Sequence, residues 1–190
     1  PMPPKPKGVD EGIIKGMYLL RGAPKGDGPV VRLIGSGPIM VQVLDAVEKL
    51  ETYGVRSEIY SATSYGELRR EGLATDRYNR LHPTEEPQKP WVENLLAEPL
   101  TTVAVSDNMA AVPDMIRQWV SGPYSVLGTD GFGRSDTREA LRRFFEIDGA
   151  AIALAALSSL VREGQIKPEV YKTAAKNFAV STDRPDIASL

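Results

Sequence analysis

Between Val30 and Ala62 the chain changes its hydrophobic period twice. The run VVRLIG (Val30–Gly35) is apolar and β-branched without clean alternation, the pattern of a strand covered on both faces. SGP breaks it, and Pro38 suits the first turn of a helix. Met40, Val43, Leu44, Val47 and Leu50 then recur at helical spacing, with Asp45, Glu48 and Lys49 on the opposite side. Gly54 ends that helix and VRSEIYSA, from Val55, is the next strand. Strand, helix and strand in this order constrain the fold. Two parallel neighbours need a long crossover, and the crossover helix must bury its apolar stripe on the sheet.

The same order recurs downstream. LTTVAVSD reads as a strand followed by a helix around Val112–Val120, and YSVLGTDG as a further strand. Asp136 with Glu139 three residues later forms a capping-box pattern that opens a helix through Phe145. Asp148 is placed to cap an alanine-rich helix ending near Gly164, and Pro168 to start a last helix reaching about Phe178. Upstream, GIIKGMYLL (Gly12–Leu20) reads as a strand. The polar stretch Ser64–Pro99 holds one helix early and another near Trp91–Ala97. The expected fold class is therefore α/β, with a mainly parallel sheet of about five strands. PMPPKPKG, with four prolines, reads as a stiff linker over residues 1–9, joined to a longer polypeptide; residues 10–180 form the domain and residues 181–190 (STDRPDIASL) a frayed tail.

Composition narrows the function classes. With 190 residues and a net charge of −2, the chain has room for one well-buried domain and no electrostatic case for nucleic acid or an anionic membrane. No apolar run approaches the roughly 20 residues of a membrane span, the closest being the alanine-rich Ala150–Val161. Cysteine is absent, which removes disulfides, thiol nucleophiles and cysteine metal sites and fits a reducing, cytoplasmic location.

Two glycine turns are candidate ligand loops. GSGPIM (Gly35–Met40) sits between strand and helix, but the dinucleotide fingerprint requires glycine where Met40 stands, and no Lys-Ser/Thr pair follows for a phosphate-cradling loop. GTDGFGRSD is richer. Asp130, Gly131, Gly133, Arg134 and Ser135 surround a helix start at the carboxyl end of a strand, where open α/β sheets bind ligands. Capping by Ser135 or Asp136, an Asp130–Arg134 pair and a glycine corner explain the same residues without a ligand. A nucleotide or partner protein held at Gly128–Ser135 is the alternative reading.

His82 is the sole histidine, so a histidine-rich metal site is impossible and any Ser-His-Asp triad would hang on it. A structural histidine before the Pro83 turn is the simpler reading, with Glu85 and Glu86 solvated. Arg138, Arg142 and Arg143 read as surface partners of Glu139 and Glu146, and Trp91 and Trp119 as core or interface anchors. These residues form no self-sufficient catalytic set.

VLGTDGFGRSDTREALRRFFEID resembles the corresponding stretch of the homodimeric, bacterial-type pyruvate dehydrogenases. EGIIKGMYLL, LIGSGPIM, YGVRSEIYSATSYGEL and RYNRLHP follow that family in the same order, covering about Asp10–Phe178. The resemblance implies a transketolase-type C-terminal domain, a three-layer α/β/α sandwich whose first strand runs antiparallel to the rest. It implies a parent enzyme that uses thiamine diphosphate and Mg²⁺ held by preceding domains, a second subunit in a homodimer, and the acetyltransferase component as partner. TDGFG contains Asp130-Gly131 but lacks the Asn pair of the thiamine motif, so no cofactor or metal ligation passes to it. The resemblance instead makes Asp130, Gly131, Gly133, Arg134 and Ser135 a candidate interdomain or dimer contact loop.

Overall fold

The computed structural model describes residues 3–181 together with Asp183 and Pro185. The rest of the tail expected to fray lies outside the described residues.

Five strands form one sheet: β1 (Met17–Arg21), β2 (Val30–Ser36), β3 (Arg56–Ala62), β4 (Thr102–Ser106) and β5 (Tyr124–Leu127), in the spatial order β1-β3-β2-β4-β5. β2 pairs parallel with β3 (Leu33 opposite Ile59) and with β4 (Ile34 opposite Ala104), and β4 runs parallel to β5. β1 alone is antiparallel, Met17 facing Ala62 at the edge. The mixed sheet with an antiparallel first strand agrees with the sequence reading.

Helices cover both faces. Val31, Leu33, Ile59, Val103 and Val105 pack under α2 (Met40–Glu51), α7 (Gly149–Arg162) and α8 (Pro168–Asn177). Ile34, Tyr60 and Ala104 pack under α3 (Tyr65–Leu81), α4 (Trp91–Leu95) and α5 (Ala111–Asp114). The largely apolar character of β2 and β4, without clean alternation, follows directly, since alternate residues of each strand serve two separate cores. Ser64 caps α3 by accepting from the Glu67 amide at 3.1 Å, and Asp148 caps α7 by accepting from the Ala151 amide at 2.9 Å.

Three sequence expectations need correction. Gly12–Leu20 is not one strand: Asp10–Lys15 is a helix, α1, and only then does β1 begin. Gly16 makes the break. It adopts φ 100, and a Cβ there would stand 2.6 Å from the Ser64 carbonyl oxygen. The single helix expected over Val112–Val120 is the four-residue α5 and a separate 3₁₀ turn at Arg117–Trp119. The N-cap of α6 (Arg138–Phe144) is Thr137, not Asp136: Thr137 Oγ1 accepts from the Ala140 amide at 3.2 Å, while Asp136 accepts from the Thr137 amide at 2.6 Å. Asp136 therefore orients the cap instead of being it.

Arg138–Arg162 is also long and apolar enough by composition to cross a membrane, a longer stretch than the sequence reading allowed. The fold breaks it in two at Glu146 (φ 55), and α7 is a core helix buried against α2.

Candidate functional site

Strand order reverses at β2: the chain leaves β2 for β3 on one side, and reaches β4 and β5 on the other. A crevice opens outside the carboxyl ends of such a pair, and ligands of open α/β sheets bind there. In this chain a protein side chain enters it. Arg142 Nη2 donates to the Pro38 carbonyl at 3.4 Å, at the end of β2, and lies 3.7 Å from Asp107 Oδ1 at the end of β4. The Arg142 side chain is 12% exposed, and its buried Nε has no hydrogen-bond partner among the described residues. Arg142 thus pins α6 to the two strands across the reversal point, a role other than the surface pairing with Glu139 or Glu146 that its spacing suggested. The GSGPIM turn beside it is a single 3₁₀ turn, Gly37–Ile39, leading into α2.

The Gly128–Ser135 loop lies at the same edge. Gly128 has no room for a side chain, because a Cβ there would stand 2.3 Å from the Ala110 nitrogen and 2.7 Å from the Asn108 carbonyl oxygen. This close backbone approach lets the Thr129 amide donate to Asn108 O at 3.0 Å and Thr129 Oγ1 to Asp107 O at 3.1 Å. Both carboxylate oxygens of Asp130 accept from the Ala110 amide, at 3.2 and 3.3 Å. The carboxylate is therefore aimed into its own fold, tying the β5 exit to the β4 exit. The Asp130–Arg134 pair that the sequence offered is not made. Arg134 instead lays its guanidinium 4.6 Å from the centre of the Phe144 ring, a cation–π contact within the loop and α6. Gly131 takes φ 95, Gly133 has open space around it, and Ser135 is exposed. Phe132, between the two glycines, is 81% exposed.

His82 lies elsewhere, at the end of α3. Its Nδ1 is 2.8 Å from the Tyr78 carbonyl oxygen, and its ring stacks on Tyr78 with centroids 4.0 Å apart. Tyr78 Oη donates to Glu85 at 2.8 Å, and that bond raises the phenol's pKa. Trp119 is buried and donates to Asp76 at 3.1 Å, tying the Arg117–Trp119 turn to α3, and Trp91 donates to the Met17 carbonyl at 3.0 Å, anchoring α4 to β1. Among the described residues no three His, Asp or Glu side chains gather as a metal site. Among the described residues the most buried ionic group, Arg32, is 1% exposed; it pairs with Glu58 at 2.6 Å and donates to the Glu98 carbonyl at 3.2 Å. Read as part of an apolar strand, Arg32 gave no warning of this in the sequence. Arg142 was equally hidden, since nothing local distinguishes it from Arg138 and Arg143. What the edge can do chemically is hold its own strands together and present an apolar, arginine-bearing surface.

The model of the transketolase-like TK C-terminal domain matches residues 16–148. The chain belongs to the transketolase-like C-terminal domain family. Solved transketolases from Leishmania mexicana and Pichia stipitis share the fold. The first superposes with a TM-score of 0.56 at 18% identity, covering 80% of this chain and 19% of that one. The second does so with a TM-score of 0.54 at 17% identity, covering 82% and 19%. In sequence the domain is 44% identical over 185 residues to the pyruvate dehydrogenase E1 component of Pseudomonas aeruginosa, covering 96% of this chain and 21% of that protein. The pyruvate dehydrogenase E1 component of Escherichia coli K12 is 42% identical over the same length. The chain thus spans about a fifth of the relatives it matches.

Proposed function

We propose that this transketolase-like domain is the C-terminal part of a homodimeric, cytoplasmic pyruvate dehydrogenase. The whole enzyme would decarboxylate pyruvate on thiamine diphosphate with Mg²⁺ and reductively acetylate the lipoyl group of the acetyltransferase component. The observation that carries the reading is the 44% identity sustained over 96% of the chain. Identity at that level over nearly the whole chain is more than a shared superfold gives.

The residues present do not fit the cofactor. The acid of the Thr-Asp-Gly stretch, Asp130, is taken up by the Ala110 amide, and Arg142 fills the crevice where an open sheet would hold a diphosphate. We therefore assign thiamine diphosphate and Mg²⁺ to the rest of the polypeptide, and to this domain the bracing of that machinery and of the second subunit. Asp130, Gly131, Gly133, Arg134 and Ser135, with Phe132 projecting between them, form the contact loop. A nucleotide at Gly128–Ser135 would have to compete with these internal bonds.

The test uses the chain and its parent together. The chain with pyruvate, thiamine diphosphate, Mg²⁺ and an electron acceptor should give no turnover, and turnover by the chain alone overturns the reading. In the full-length enzyme, Asp130→Ala with Arg134→Ala should weaken dimerisation or lower activity. If both stay at the parent's level, the contact role of the loop is wrong.

A further inference from the structure

α3 turns Tyr65, Leu68, Gly72 and Thr75 inward, the residues it buries. Gly72 fixes that orientation, because a Cβ there would stand 2.6 Å from the Trp119 ring. At about 3.6 residues per turn, Arg69, Arg70, Leu73, Arg77, Arg80 and Leu81 then fall on the opposite side, within about 120° of the helix surface. All six are exposed, Leu73 by 41% and Leu81 by 54%. Leucines set among arginines on a solvated face add nothing to the helix's own packing.

Nor does the helix neutralise its own cations. It carries three acids against four arginines, and each acid is engaged. The Glu71 oxygens accept from the Trp91 amide at 3.1 and 3.0 Å. Asp76 accepts from Trp119 Nε1 and from Gln118 Nε2, both at 3.1 Å. Glu67 pairs with Arg70. Among the described residues Arg69, Arg77 and Arg80 make no ion pair. From Arg69 to Arg80 the stripe runs about 16 Å along the axis.

We propose that this face of α3 is a docking surface for an acidic, leucine-bearing helix of a partner protein. Carboxylates spaced three or four residues apart on that helix meet Arg69, Arg77 and Arg80 over three turns, and its leucines cover Leu73 and Leu81. Guanidinium suits this partner, because its planar fork takes the two oxygens of a carboxylate together. A short acidic helix ends where the stripe ends. A nucleic acid or an anionic membrane extends past it, onto exposed Glu85 and Glu86 and a chain of net charge −2. The surface lies across the sheet from α7 and α8, and its role is independent of the enzymatic reading above.

The probe is a fluorescein-labelled peptide repeating Glu-Leu-Ala-Glu, titrated with the full chain and read by fluorescence anisotropy. It should bind, and Arg69→Glu, Arg77→Glu and Arg80→Glu together should weaken binding about tenfold or more. Leu73→Ser should weaken it about fivefold. Arg162→Glu, Lys172→Glu and Lys176→Glu together, the same change of charge on the other layer, should leave it at the parent's level. The arginines are exposed, so the unfolding midpoint should not move; Arg77→Gln with Arg80→Gln reads the same loss should the reversed triple not fold. No binding, an equal loss in the control triple, or equal affinity for the peptide with serine in place of leucine overturns the proposal. Duplex DNA or phosphatidylglycerol vesicles bound as tightly as the peptide, through the same arginines, would give the stripe to polyanions at large and also overturn it.

Discussion

Arg32 is the residue whose environment decides most. It enters from the middle of β2 into the α3–α5 layer, where Glu58 on the neighbouring strand, Thr102 Oγ1 and the Glu98 carbonyl surround it. An ion pair so placed gains little over an apolar pair of equal volume, but breaking it strands a charge. Arg32→Met should destabilise the chain by about 3–5 kcal/mol, and adding Glu58→Met should recover most of that loss, both read from urea unfolding midpoints. Equal destabilisation by the single and double variants would deny the coupling. Tyr65 and Tyr124 make a second contrast in the same layer. Burial raises both phenol pKa values, so each folded hydroxyl holds its proton to higher pH than the unfolded one does. Their contribution is complete below pH about 10 and declines as pH rises beyond that value. Tyr124 Oη donates to the Pro113 carbonyl at 2.6 Å, whereas buried Tyr65 Oη has no partner among the described residues. Tyr65→Phe should therefore be neutral or stabilising at pH 8 and flatten the loss of stability between pH 9 and 11. Tyr124→Phe should cost about 1 kcal/mol at pH 8. Thermal unfolding of the two variants across that range distinguishes them.

At the scale of elements, legibility followed the strength of the local signal. β2, α2, β3 and β4 were readable because each has an unbroken period, and α7 because Asp148 and Gly164 bracket it. α1 was missed because its apolar residues, Ile13 and Ile14, are β-branched and run directly into a genuine strand. Only the left-handed Gly16 separates the two elements, and its fit against Ser64 is a tertiary fact. The α5 region was misread for a related reason, its apolar spacing serving two short turns under Trp119. At α6, three successive candidates (Ser135, Asp136 and Thr137) could each cap a helix, and sequence cannot choose among them. The observed cap predicts a difference that the sequence alone does not: Thr137→Ala should cost about 1 kcal/mol, and Asp136→Ala less. Were Asp136→Ala the costlier in chemical denaturation, the cap would sit where the sequence first placed it.

For the whole molecule, the carboxyl edge of the sheet draws the separate features together. Gly128 brings the β5 exit onto the β4 exit, Asp130 locks it to Ala110, and Arg142 closes the reversal point. Almost none of this was legible beforehand, since each contact joins segments more than fifteen residues apart. What the sequence did show was that glycine, acid and arginine concentrate in one loop. The same edge also presents its apolar surface outward: Phe132 is 81% exposed, Met109 52% and Val41 44%, on segments adjoining β5, β4 and β2. An edge rigidified from within and apolar outside fits the contact role proposed for the Gly128–Ser135 loop. By itself the chain should then associate through this edge. Sedimentation velocity should show a concentration-dependent shift to larger species, and Phe132→Asp should reduce it without moving the unfolding midpoint, because Phe132 buries almost nothing. A monomer at every concentration in the unsubstituted chain would remove the edge as a contact surface. Loss of association together with loss of stability would instead place Phe132 in the fold.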